Sequence, residues 1–77
     1  MNFKTKIALL VFLVVTSAQQ VSAQEAKDWF EEGNRLGRDG HYSSAVEAYQ
    51  RSLKLNPNAT VVYYNLGLAY KKLQQYE

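Results

Sequence analysis

From Glu25 to Asp39 the apolar or small residues Trp29, Phe30, Gly33 and Leu36 recur at helical spacing, and no proline interrupts them. This predicts a first helix, ended by Gly40 because glycine accepts the left-handed conformation that a helix terminus often needs. From Tyr42 to Leu55 a second stripe, Tyr42, Ala45, Val46, Tyr49, Ser52 and Leu53, is spaced by threes and fours. Ser43-Ser44 followed by Glu47 reads as its capping signal. Asn56-Pro57-Asn58 stops this second helix, since proline cannot continue it and holds Asn56 out of helical geometry. A third helix is expected from about Ala59, with Asn58 as N-cap, to about Leu73. It carries Tyr63, Leu66, Gly67 and Tyr70 on one face. A turn of about three residues forces the first two helices to pack antiparallel. Gly33 and Ala45 are the expected crossing point, with Trp29 and Tyr49 filling the space on either side.

The pattern then starts again. Trp29, Gly33, Leu36 and Tyr42 are followed 34 residues later by Tyr63, Gly67, Tyr70 and Tyr76, and a period of this length marks a repeat architecture. The chain resembles the tetratricopeptide repeat, a helix–turn–helix unit with the pattern W-x2-L-G-x2-Y, then A-x3-F, then P. The matching residues are Trp29, Gly33, Leu36, Ala45, Tyr49 and Pro57 in the first copy, and Tyr63, Leu66, Gly67 and Tyr70 in the second. Departures are Glu32 in place of leucine, Leu36 in place of tyrosine and Ser52 where a small alanine is usual. The resemblance implies an all-α solenoid: residues 26–59 as one complete repeat and 60–77 as the first helix of a second. Because each repeat closes its core only against a neighbour, the chain is expected to be an amino-terminal fragment of a longer protein. Residues 24–77 alone are expected to be partly helical and to melt without a sharp transition.

The segment before the repeats has a different character. Lys4 and Lys6 precede an unbroken apolar run from Ile7 to Val15, and Val21-Ser22-Ala23 offers a small-x-small cleavage site. Residues 1–23 therefore read as a secretory signal peptide. The run of about nine residues covers roughly 14 Å against the ~30 Å of a bilayer's hydrocarbon core, too short for a spanning anchor. Export to a periplasmic or extracellular location is expected, with an uncleaved tether as the alternative. Membrane contact is then confined to the signal segment. Of nine basic residues, Lys4 and Lys6 lie in that segment, which leaves seven basic against seven acidic. A neutral chain of alternating charges is a solvated helical surface and not a nucleic-acid-binding one. The absence of cysteine excludes disulfides, thiolate metal sites and a cysteine nucleophile.

Catalytic chemistry finds no constellation. His41 is the one histidine and sits in a turn, so no second imidazole completes a metal or acid–base site. Glu31 and Glu32 are adjacent on a helix and diverge, so they do not form a carboxylate pair. Gly33, Gly37 and Gly40 follow no strand and form no phosphate loop. The chain is expected to be no enzyme and to need no cofactor or metal. Its expected function is that of an interaction scaffold with a protein or peptide partner. The alternatives are the front of a larger exported enzyme or signalling receptor, or an envelope assembly factor. The resemblance implies that the first helix of each repeat lines a concave groove, with Phe30, Asn34, Arg38, Tyr64, Asn65, Leu68 and Lys72 as candidate contacts. Phe30 and Tyr64 are the expected anchors, because aromatic side chains concentrate binding energy. Asn34 and Asn65 match the asparagines of the carboxylate-clamp version of the repeat, but Phe30 occupies the place of its lysine.

Overall fold

A computed structural model describes the backbone of residues 3–76 and the side-chain surroundings of residues 20–76. Three helices follow one another: α1 (Phe3–Arg38), α2 (Tyr42–Leu55) and α3 (Thr60–Tyr76). Helix α1 starts far earlier than Glu25, the expected beginning, because no proline or glycine stands anywhere before Gly33 to break it. The Val21-Ser22-Ala23 segment is helical, and most side chains of the signal expected at residues 1–23 lie outside the described residues. Among the described residues, no helix is long and apolar enough to cross a membrane.

The turn between α1 and α2 is built from backbone hydrogen bonds. His41 N–H donates to the Leu36 carbonyl at 2.9 Å and Gly40 N–H to the Gly37 carbonyl at 3.2 Å, with Gly40 at φ +83°. These are the paired bonds of a Schellman motif, which satisfies carbonyls that a helix end otherwise leaves open. Helix α2 then opens through its backbone, Ala45 N–H donating to the His41 carbonyl at 2.9 Å. No side chain caps it, so the expected role of Ser43 and Ser44 is corrected: both lie inside the helix, two and three residues past the cap position at His41. Asn58 is corrected likewise. Ala59 directly precedes α3, and its carbonyl receives the first bonds, from Val62 and Tyr63 N–H. The third helix also continues past Leu73 to Tyr76.

Cross-helix pairs fix the packing. Ser52 bonds to Ala26, the Arg51 guanidinium lies 4.7 Å from the centre of the Trp29 ring, and Tyr49 reaches Asn34. As α1 ascends α2 descends, so the pair is antiparallel. Helix α2 is the middle layer. Its Ala45, Val46, Tyr49 and Leu53 form the core with Val62 and Ala69 of α3, while Phe30, Leu36, Leu66 and Leu73 pack against it.

Two expectations about packing change. Tyr49 does not fill space beside Gly33 but lies directly over it: a Cβ on Gly33 would stand 2.5 Å from Tyr49 Cε1. The glycine is a slot for a ring. On α3, the face turned to α2 is Val62, Leu66, Ala69 and Leu73, not the face centred on Tyr63, Gly67 and Tyr70. Tyr63 and Tyr70 are exposed, and a Cβ on Gly67 would meet nothing within 4 Å. The physical reason is the repeat itself. Trp29 and Gly33 face the following helix α2, whereas their counterparts Tyr63 and Gly67 do not pack on α2, and Tyr70 touches it through its hydroxyl, which accepts from Gln50 Nε2 at 3.0 Å.

Candidate interaction site

Helix α1 presents Asn34 and, one turn later, Arg38. Helix α3 presents Asn65, Leu68 and Lys72 along one stripe at intervals of three and four. The two helices come together where the Asn65 amide Nδ2 donates to Asn34 Oδ1 at 2.9 Å. From beneath, α2 supplies Tyr49, whose hydroxyl donates to the same Asn34 oxygen at 2.6 Å. The result is an open depression of about 330 Å³, floored by Tyr49 and Ala69 and walled by these α1 and α3 side chains.

Its electrostatics are one-sided. Arg38 and Lys72 line it, and no acidic residue does. The ion pairs among the described residues lie elsewhere: Arg35 holds Glu32 at 2.6 Å and Asp39 at 3.3 Å, and Lys27 meets Glu31 at 3.9 Å. The hydrogen bond from Arg35 holds the Glu32 carboxyl below its usual range. Within the depression, burial pushes the Tyr49 phenol above its ordinary value, against the opposing pull of the Asn65 amide and the Arg38 charge. Tyr49 is therefore a neutral hydroxyl at physiological pH.

Five of the seven candidate contacts, Asn34, Arg38, Asn65, Leu68 and Lys72, meet here. Phe30 does not. It packs against the core with its ring 6.0 Å from that of Tyr49, and lines a separate crevice with Ser52 and Val62. Tyr64 is 67% exposed and lies outside the depression. Tyr49 joins the site although its spacing marked it as core. Its hydroxyl was the available signal, because a buried phenol needs a hydrogen-bond partner where a phenylalanine does not. The arrangement offers N–H donors and two cations above a small apolar floor, a surface suited to holding a chain that carries oxygen acceptors. Among the described residues no group of three or more His, Asp or Glu could hold a metal ion.

Residues 33–74, more than half of the chain, match the TPR repeat model, and the chain belongs to the TPR repeat family. It is 45% identical to sperm-associated antigen 1 of Rattus norvegicus over 47 residues, 61% of this chain and 5% of that protein. To the small glutamine-rich tetratricopeptide repeat-containing protein beta of Rattus norvegicus it is 37% identical over 54 residues, 70% of this chain and 17% of the relative. To the corresponding protein 2 of Mycosarcoma maydis it is 35% identical over 46 residues, 60% of this chain and 13% of that protein. The chain thus spans a small part of the length of these relatives. No solved structure matches it. TPR repeats generally mediate protein–protein interaction.

Proposed function

We propose that the chain is a peptide-binding scaffold whose α1–α3 depression receives a carboxylate-bearing segment of a partner protein. The observation that carries this reading is the pairing of Arg38 and Lys72 around Asn34 and Asn65 with no acidic side chain in the lining. A segment rich in glutamate or aspartate finds two charge-assisted contacts there, and a basic one finds repulsion. The test is titration of the full chain with N-acetylated hexaglutamate and, as control, hexalysine, followed by backbone amide shifts. Hexaglutamate is expected to shift Arg38, Asn65 and Lys72, more weakly as salt is raised, and hexalysine to leave them unmoved. Reversing Arg38 or Lys72 to Glu is expected to weaken hexaglutamate binding about fivefold or more, since an exposed ion pair contributes up to about 1 kcal/mol. Equal response to both peptides defeats the reading.

The same scaffold is proposed to act after export. Lys4 and Lys6, the apolar run Ile7–Val15 and the small residues at Val21-Ser22-Ala23 support this. Fractionation of the producing cells with amino-terminal sequencing is expected to find a chain beginning at Gln24 outside the cytoplasm. A cytosolic chain retaining Met1 overturns it. That the relatives carry their matching segment as 5–17% of a longer protein favours a second arrangement. In it these repeats recruit partners for a larger exported enzyme, receptor or envelope assembly factor through the same depression.

A further inference from the structure

We infer that Tyr49 is a positioning residue for the depression: its hydroxyl holds the Asn34 side-chain amide with the oxygen inward and both N–H donors free for a ligand. Asn34 Oδ1 receives Tyr49 Oη–H at 2.6 Å and Asn65 Nδ2–H at 2.9 Å. A carbonyl oxygen has two acceptor sites, so both are used, while the two hydrogens of Asn34 Nδ2 are committed to neither neighbour. Asn65 gives one amide hydrogen to this network and keeps its oxygen. Arg38 beside the phenol supplies a reason for the hydroxyl's direction. A cation next to Tyr49 favours a phenol oxygen turned to the charge and a proton turned away, toward Asn34.

The consequence is selectivity. Asn34 Nδ2 and Arg38 stand one helical turn apart on the same face of α1, so together they offer donors to a carboxylate or main-chain carbonyl and nothing to a donor-only ligand. Across the depression the Asn65 oxygen is left to receive one N–H of the same ligand. This rests on the acidic-segment reading above, but its first readout needs no peptide. If the Asn34 amide were reversed, its nitrogen would donate inward and present an oxygen beside Arg38, and the two arrangements differ in which asparagine carries bonded amide protons.

The experiment is ¹⁵N-resolved NMR of the full chain. One Asn65 Nδ2 proton is expected downfield and slow to exchange, and both Asn34 Nδ2 protons at ordinary solvent-facing positions. Bonded protons on Asn34 instead overturn the inference. Tyr49→Phe is then expected to erase the distinct Asn65 signal and to weaken hexaglutamate binding threefold to fivefold while backbone amide shifts of α1 stay in place. Unchanged affinity with α1 intact also overturns it. Should Tyr49→Phe disturb the fold, Asn34→Asp decides. It retains both inward acceptors and exchanges the outward donors for an oxygen, so helicity is expected to persist and hexaglutamate binding to fall at least tenfold. Loss of the fold in Asn34→Asp counts against the assigned orientation. A wild-type chain with the expected amide signals and no hexaglutamate binding would instead defeat the ligand reading and leave the positioning intact.

Discussion

Gly33 and Gly67 stand at equivalent places in the 34-residue period, yet their surroundings make opposite demands. At Gly33 a methyl group would lie 2.5 Å from the Tyr49 ring, so Gly33→Ala must push the ring aside. Such overpacking costs about 1–3 kcal/mol, more than the ~1 kcal/mol that alanine gains over glycine in a helix. At Gly67 nothing stands in the way, and Gly67→Ala is expected to keep that gain. Urea unfolding followed by circular dichroism should therefore move in opposite directions for the two variants. Tyr49 itself gives a pH dependence. Burial holds its folded-state pKa above the ordinary 10.0, so in alkali the unfolded chain loses the phenolic proton first. The stability linked to that proton is intact below about pH 10 and falls as pH rises through the folded value. Unfolding measured from about pH 8 to 11 should decline more steeply for the wild type than for Tyr49→Phe, in which this linkage is absent.

Between elements, the decisive contact is Ser52. It is 1% exposed, and its hydroxyl donates to the Ala26 carbonyl at 2.7 Å, tying the carboxyl-terminal part of α2 to α1. Ser52→Ala introduces the residue usual in the family and is expected to cost about 1 kcal/mol through the lost bond, seen as a lower thermal midpoint. The extents of α2 and the turn at Gly40 were legible because glycine, proline and a clean three-and-four spacing act locally. The face of α3 was not. Tyr63, Gly67 and Tyr70 form the more conspicuous stripe, but which stripe is covered depends on the neighbour, and Val62, Leu66, Ala69 and Leu73 are turned to α2. The cap before α3 escaped for a related reason. Asn58 has the better capping side chain, and the chain reaches helical geometry only at Thr60, so the backbone of Ala59 does the work. The binding candidates divide in the same way. Asn34, Arg38, Asn65, Leu68 and Lys72 are what the resemblance to the repeat implies for its groove face, and they do meet, whereas Phe30 is drawn off by α2, which phase on its own helix does not reveal.

Over the whole molecule, α2 is the only described helix packed extensively on both sides, against α1 and α3, which meet each other chiefly at Asn34 and Asn65. Local stability follows buried contact, so hydrogen exchange is expected to be slowest in α2 and fastest, among α2 and α3, in α3. Equal protection of α2 and α3 would contradict this order. Tyr63 and Tyr64 leave α3 with an exposed apolar surface on the side away from the core. The open place above Gly67 gives that surface a built-in gauge. Any helix that seats an aromatic ring there, as Tyr49 does over Gly33, turns the Gly67→Ala substitution from favourable to unfavourable. The energetic sign of one methyl group, measured with and without a candidate protein, thus becomes a thermodynamic reporter of whether that protein continues the stack or binds somewhere else.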